Sequence, residues 1–318
     1  MNILLTAIGK RVQLINWLKN SCKVIGTDIS EMAPAVYFVD KFYKVKKFQE
    51  EGYINQILSI CKKEKIDFLV PLYEKEFLML CDYRKYFEDN GTKLILSDKS
   101  IIEVCNDKWK TYEFFKKNNI QCPNTYLKSS IPYDVKFPLI IKPFNGMGSQ
   151  GVFKIRNSKE LNFFLEYIER PIVQEFIEGT EFTVDVLCDL KGNVVFKVPR
   201  ERLEVRAGEV SKTRTVKNKK IVAKVSELCE KLKRIDKGEK LIGPLTVQCI
   251  MDEKGDVYFI EINPRFGGGV PLTFKAGGDY GLYFNKMNKG EDIKPLKNFK
   301  EITMIRYDKA IYLGGSNE

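Results

Sequence analysis

The sequence has no histidine anywhere in its 318 residues. That absence excludes Ser-His-Asp and Cys-His catalysis, histidine metal sites and phosphohistidine chemistry together. Acid–base work is left to carboxylates, lysine, tyrosine or bound ions. Paired cysteines are missing too. The eight cysteines, at 22, 61, 81, 105, 122, 188, 229 and 249, are never closer than 17 residues, so no CxxC zinc or redox pair exists. Several lie in apolar stretches, as in Leu187-Cys188 and Gln248-Cys249-Ile250, and read as buried free thiols in a reducing cytosol. There is no run of about 18 apolar residues. The start Met1-Asn2-Ile3-Leu4-Leu5 lacks the charged-then-apolar order of a signal peptide. The expectation is a soluble cytoplasmic protein with no membrane partner.

What is present is globular. A hydrophobic fraction of 44% against 30% charged residues excludes a disordered or collagen-like chain. At about 100–200 residues per domain the length predicts two or three domains. Lys and Arg number 53 against 42 Asp and Glu, a net charge of +11. The lysines are spread along the chain, as on a solvated surface, and such a positive field also suits polyanionic small molecules such as nucleotides. A nucleic-acid-binding module is the alternative that the charge raises, but no helix-turn-helix, zinc or RNP signature supports it, and no nucleic acid is expected.

Residues 2–7 form a short apolar run ending at a turn, followed by the helical stripe Val12, Leu14, Ile15 and Leu18. Val24 to Asp28, Asp67 to Pro71 and Lys93 to Leu96 read as further strands, and Tyr53 to Glu64 as a helix. Strands alternating with helices predict an open parallel α/β unit over 1–105. Its ligand crevice should lie beyond the strand carboxyl ends, near Lys10, Arg11, Asp28, Glu74 and Glu76. Only Gly9 occupies the first turn, so a GxGxxG is missing and a nicotinamide-dependent dehydrogenase is disfavoured. From Asp107 the pattern changes to helix, strand, glycine-rich turn and strand (139–155), then helix and strand. After Gly179 strands dominate: 183–187, 194–198, 245–251 and 257–262, with a helix over 219–233 between them. Residues 286–300 are charged and read as a solvated loop, and the end after about 295 carries no interpretable motif.

Three constellations carry chemistry. Lys142 precedes the loop Asn145-Gly146-Met147-Gly148-Ser149-Gln150-Gly151. Glycines there free backbone N–H groups to face an anion, and the lysine adds a point charge. Taken alone, the loop reads equally as a flexible turn. In Glu261-Ile262-Asn263-Pro264-Arg265, Glu261 and Asn263 share one strand face and offer oxygens to a hard ion such as Mg²⁺. Gln248 can add an amide oxygen from the preceding strand, and Arg265 can reach a phosphoryl or carboxylate oxygen. The third segment, 174–181, ends an apolar strand in a carboxylate-rich turn, whose edge suits an adenine and whose Glu181 suits ribose hydroxyls.

In this order the segments resemble the ATP-grasp superfamily, in particular its carbamoyl-phosphate-synthase-like carboxylate–amine ligases. The resemblance runs over nearly the whole chain: Asn106-Asp107-Lys108, IIKP with its glycine loop, QEFIEGTEF, and VQ with IEINPRFGGG. It implies an amino-terminal open parallel α/β domain (1–105) and a two-lobed ATP-grasp domain with mostly antiparallel sheets. The small lobe, with its leading helix, would span 106–178, and the carboxyl lobe, with metal and substrate site, 179–318. It assigns Lys108 and Lys142 to ATP phosphates, and Gly146, Gly148, Ser149 and Gly151 to a flexible lid over the triphosphate. Glu175, Phe176, Ile177 and Glu181 would meet adenine and ribose. Gln248, Glu261 and Asn263 would hold Mg²⁺ or Mn²⁺, and Arg265 with Lys142 would stabilise the transferred phosphoryl. Lys212 falls among further nucleotide contacts. Lys10, Arg11, Glu74, Arg200, Arg202, Gly267 and Gly268 fall among substrate contacts. Gln248 stands where many superfamily members have a carboxylate, which should weaken one metal site.

The implied reaction suits a chain without histidine. The γ-phosphoryl of ATP passes to a substrate carboxylate, and an amine or other nucleophile then displaces phosphate from the acyl phosphate. Such transfer needs positioning and charge neutralisation more than a protein base. A kinase-like enzyme that stops at phosphoryl transfer is the alternative. The partners implied are small-molecule carboxylate and amine substrates, with a homodimer left open.

Overall fold

The computed structural model describes residues 1–145 and 150–314. Its first unit contains β1 (Asn2–Thr6), α1 (Val12–Leu18), β2 (Lys23–Asp28), β3 (Lys41–Lys44), α2 (Tyr53–Glu64), β4 (Phe68–Pro71), α3 (Phe77–Asp82), α4 (Arg84–Asp89) and β5 (Lys93–Leu94). The strands lie in the order β3-β2-β1-β4-β5, with every neighbour parallel. The apolar runs explain this arrangement. Ile3, Leu4 and Leu5 in β1, and Phe68, Leu69 and Val70 in β4, are all 0% exposed, as a strand covered on both faces must be. Strand order reverses between β1 and β4, so a crevice opens beyond their carboxyl ends, at residues 7–11 and 73–76. The expected strand over 93–96 is only two residues long, and β3, α3 and α4 lacked a periodic signal strong enough to predict them.

Helices α5 (Lys99–Cys105) and α6 (Lys108–Lys117) lead into the second part. The Asp107 carboxylate caps α6, accepting from the amides of Trp109 and Lys110 at 2.9 Å each, and thereby sets Lys108 in the first turn. An antiparallel sheet follows, from β6 (Thr125–Leu127), β7 (Leu139–Pro143), β8 (Phe153–Ile155) and β9 (Pro171–Glu175), with α7 (Ser158–Tyr167) between the last two. Its order is β6-β9-β7-β8. Strand alternation sends Leu139, Ile141 and Val173 into a core with Leu161 of α7, and turns Ile140, Lys142 and Gln174 to the opposite face.

The largest sheet is also antiparallel. It is built from β10 (Thr180–Cys188), β11 (Val194–Arg206), β12 (Glu209–Thr215), β13 (Gly243–Met251), β14 (Val257–Asn263) and β15 (Thr303–Ile305), in the order β14-β13-β10-β11-β12-β15. Helix α8 (Lys219–Leu232), capped by the Asn218 side chain, buries Ile221, Val225, Leu228 and Leu232 against Phe182, Val184, Val186 and Val247 of one sheet face. The fold class expected from sequence is therefore the one observed, a parallel unit followed by two antiparallel sheets.

Two expectations are corrected here. The strand from Val194 does not end near 198 but continues to Arg206 and turns through Ala207-Gly208 into β12, which sequence did not reveal. Both turn residues have positive φ, +48° and +78°, the mirror-type turn that two-residue hairpins favour. Nor are residues 286–300 simply a solvated loop. Helices α9 (Val270–Ala276) and α10 (Tyr280–Lys289) precede an extended segment whose Ile293, Leu296 and Phe299 pack on the core, and β15 then pairs with β12. The reason is apolar spacing at every third residue inside a charged stretch. These helices also pack Phe274, Tyr280 and Phe284 against Leu14, Ile15 and Phe68, so the first unit and the end of the chain share one core. No helix among the described residues is long and apolar enough to cross a membrane.

Candidate active site

A cleft of about 420 Å³ lies between the small and large sheets and is closed at one end by the first unit. Both segments singled out in the sequence, the β7 hairpin and the Glu261–Arg265 stretch, line it.

The small-sheet wall comes from one contiguous piece of chain. Lys142 is only 6% exposed, and its Nζ donates to Gln174 Oε1 at 3.0 Å. Gln174 Nε2 in turn donates to Thr125 Oγ1 at 2.9 Å, which fixes the amide so that its oxygen meets the lysine. Burial pulls the Lys142 ammonium down to about 8; Glu261 opposes that shift and Lys108 adds to it. Burial also lowers Lys108, against the pull of Glu261, Glu74 and Asp107. One carboxylate thus acts on two ammonium groups across the cleft. Ile140, Val152, Ile177, Ile250 and Ile260 give the same end apolar surface for a flat ring. Glu175, Phe176 and Ile177 all reach the cleft. The Glu175 carboxylate accepts from the Asn124 backbone and side-chain amides at 3.3 Å, and Lys154 Nζ stands 3.6 Å from the centre of the Phe176 ring. Gly151 has φ +70°, and a Cβ there would come 3.2 Å from Pro143 Cδ, so this end of the hairpin requires glycine. Gly146, Gly148 and Ser149 lie outside the described residues.

The floor belongs to the large sheet. Alternation on β10 turns Phe182 and Val184 to the core and Glu181 and Thr183 to the cleft. On β14 a register shift opposite Gln248/Cys249 lets Ile260 join Glu261 and Asn263 in the cleft lining. Gln248 is the cross-strand partner of Glu261. Asn263 Nδ2 donates to Glu261 Oε1 at 3.0 Å. No hydrogen bond from a described residue reaches Gln248 Oε1, Asn263 Oδ1 or Glu261 Oε2. Three uncommitted hard oxygens on adjacent strands fit Mg²⁺ in donor type. Among the described residues no three Asp, Glu, Cys or His side chains cluster, so this set depends on its two amides. Arg202 Nε lies 3.0 Å from Glu181 Oε1, and burial raises the Glu181 carboxyl against that pairing.

The far wall is assembled from distant segments. Arg265 Nε lies 2.6 Å from Glu74 Oε1 of the first unit, its Nη1 donates to the Phe266 carbonyl at 3.1 Å, and its own carbonyl accepts from Thr246 Oγ1 at 2.9 Å. Arg200, 1% exposed, is held by Asp185 through Nε at 2.7 Å and Nη2 at 3.0 Å, while its Nη1 has no partner among the described residues. That nitrogen stands 2.2 Å from where a Cβ on Gly269 would lie, so any larger residue would displace the guanidinium. Gly267, Gly268, Arg11 and Glu209 complete the wall.

Four expected residues stay out of the cleft. Asp28 accepts from the Gly9 amide at 2.9 Å and lines a separate pocket with Tyr53 and Tyr73. Lys212 pairs with Glu204 at 2.8 Å on the β11–β12 hairpin. Lys10 is exposed and reaches only Glu209, at 3.7 Å. Glu76 is buried under the first sheet, accepting from Thr6 Oγ1 and Tyr53 Oη. Conversely, Gln174, Glu209 and Arg306 were missed. Gln174 follows Val173 by strand alternation and had a readable signal, whereas Glu209 and Arg306 depended on strands that sequence did not reveal.

Residues 105–269, just over half of the chain, match the family model described as the ATP-grasp domain, and the chain belongs to that family. Residues 3–95 match the model described as a PylC-like N-terminal domain. The chain is 26% identical over 239 residues to the carbamoyl phosphate synthase large chain of Thermoanaerobacter sp. (strain X514), covering 71% of this chain and 22% of that one. It spans about a quarter of the length of the curated relatives it matches. Among solved structures, N5-carboxyaminoimidazole synthetase from Staphylococcus aureus complexed with ADP superposes with a TM-score of 0.76 at 18% identity, over 96% of this chain and 82% of that one. The L-amino acid ligase from Bacillus licheniformis gives 0.66 at 19%, over 92% and 77%.

Proposed function

We propose that this chain is an ATP- and Mg²⁺-dependent ligase that activates a small carboxylate, as an acyl phosphate, and joins it to an amine. The observation that carries the reading is the convergence on one cleft of Lys142 from the small sheet, Lys108 from the first turn of α6, and Glu261, Gln248 and Asn263 from the large sheet. A triphosphate is the ligand class that such an arrangement suits. Two ammonium groups neutralise its oxygens, and the apolar slot beside Ile140 and Ile177 accepts the base.

Gln248, Glu261 and Asn263 would hold Mg²⁺, which supplies charge neutralisation between phosphates. The remaining chemistry falls to the chain's own groups. Lys142, held in place by Gln174, faces the charge that develops on the transferred phosphoryl. Arg265, braced by Glu74, orients the acid so that its carboxylate oxygen attacks in line. The buried walls keep water from the acyl phosphate until the amine adds and phosphate leaves. Similarity to carbamoyl phosphate synthase large chains and to an L-amino acid ligase fold supports this class and suggests an amino acid among the substrates.

The test is ADP release with a panel of carboxylic acids and amines, with mass spectrometry of the products. Acid- and amine-dependent ADP release with an amide product is expected. A stable phosphorylated product instead would convert the assignment to a kinase. No ADP release across the panel, together with no rise in Tm on adding ATP and Mg²⁺, would remove it.

A further inference from the structure

The wall opposite the phosphate end holds more positive charge than its own acids neutralise. Arg11 lines the cleft at the carboxyl end of β1, yet its guanidinium makes no hydrogen bond and no ion pair with a described residue. The groups close enough to perturb it are Arg265, Glu209, Arg306 and Glu74. Both carboxylates are already engaged: Glu74 by Arg265 at 2.6 Å, Glu209 by Arg306 at 3.0 Å and by Lys10 at 3.7 Å. Among the described residues four cations therefore share two carboxylates, and Arg11 is the one of the four with no partner there. Burial and the two neighbouring guanidiniums disfavour its charge, a cost that an incoming anion would relieve. Arg306 arrives there because β15 pairs with β12 and carries the chain back to the cleft. A second guanidinium on the same wall, Arg200, also leaves Nη1 without a partner among the described residues, beside the Gly267–Gly269 turn.

We propose that Arg11 is a specificity-determining residue, receiving a second anionic group of the acid substrate, a carboxylate or a phosphate, at the end of the cleft away from Lys142. The acid would thus be a dianion, with one carboxylate activated beside Arg265 and the other oxyanion held by the planar donor fork of Arg11. A monocarboxylate beside Arg265 would bring the balance only to four against three and leave Arg11 unmatched. This inference rests on the ligase reading for the identity of the reacting carboxylate, but the anion subsite itself can be tested without turnover.

The test is calorimetric titration of the nucleotide-free full chain with succinate, butyrate and inorganic phosphate, repeated on Arg11→Gln and Arg11→Lys. The wild type should bind succinate or phosphate and not butyrate, and which of the two binds distinguishes a carboxylate from a phosphate subsite. Arg11→Gln should weaken that binding about 10–100-fold, as loss of a charge-assisted pair does, with Arg11→Lys recovering part of it. Equal binding of succinate and butyrate, no binding of either dianion, or an Arg11→Gln variant with unchanged affinity would overturn the proposal. Titration with ADP and Mg²⁺ in parallel separates the two readings. If the nucleotide fails to bind while the dianion binds, the ligase assignment falls and the subsite stands. If the nucleotide binds and Arg11→Gln changes nothing, only the subsite falls.

Discussion

The two walls of the cleft are built in opposite ways. On the small-sheet side, Lys142, Gln174 and Ile140 come from paired neighbouring strands, and a neutral amide positions the lysine. On the far side, Arg11, Glu74, Arg200, Glu209, Arg265 and Arg306 are gathered from across the chain and lie among ion pairs. On the ligase reading proposed above, the contrast suits two tasks. A wall for a nucleotide's phosphates meets the same chemistry in every turnover and can be made from a short, compact motif. A wall for a particular acid must match that acid's charges, and here it depends on segments as distant as the first turn and the end of the chain.

The sharpest way to break this comparison is to remove one charge from the nucleotide end. Lys142→Ala and Glu261→Ala should each lower kcat/KM for ADP release at least 10²–10³-fold, the scale of losing a preorganised charge contact, with the far-UV spectrum unchanged. Normal turnover in Glu261→Ala would remove the metal assignment. Removing an anchor from the far wall should act on stability instead. Asp185→Ala leaves the buried Arg200 guanidinium unpaired and should cost about 3–5 kcal/mol in urea unfolding. A loss below about 1 kcal/mol would show that Arg200 relaxes toward solvent.

A titration separates binding from stability at Lys142 itself. With its ammonium lowered to about 8, the free protein should lose affinity for ATP as pH rises from 7 to 9.5, and Lys142→Met should flatten that dependence. The same group acts oppositely on the ligand-free fold. Between about 8 and 10.4 the unfolded chain holds more protons at this lysine than the native state, so its contribution makes stability rise with pH across that window. The smallest effect belongs to Glu76, outside the cleft. Burial raises its carboxyl to about 7, so between about 4.5 and 7 the native state holds more protons and this group makes stability fall as pH rises. Glu76→Gln should remove that slope in thermal unfolding at stepped pH without changing nucleotide affinity.

How much of each wall could be read from sequence follows from the same contrast. The parallel unit announced itself through apolar runs, and Lys142, Glu261 and Asn263 through strand alternation beside glycine and proline. The far wall did not. Strand β12, Glu-Val-Ser-Lys-Thr-Arg-Thr, lacks a clean two-residue period, because register shifts in β11 change which side chains face inward. The tail that delivers Arg306 shows no signal until its partner strand is known, since three residues of β15 gain their pairing only from β12. Lys212 was misplaced for the same reason: a lysine on an unrecognised hairpin looks like any cleft lysine until its pairing with Glu204 is seen. Local motifs survive in the one-dimensional record, and long-range charge assembly does not.

The central claim is that a nucleotide's phosphates are held between Lys142 and the Gln248, Glu261 and Asn263 oxygens. The most direct measurement is calorimetric titration of a non-hydrolysable ATP analogue, with and without Mg²⁺, into the wild type, Lys142→Met and Glu261→Gln. One site per chain is expected, with affinity reduced about 10-fold or more by Lys142→Met. Its dependence on Mg²⁺ should be lost in Glu261→Gln. Equal affinity in all three proteins, indifferent to Mg²⁺, would contradict the account.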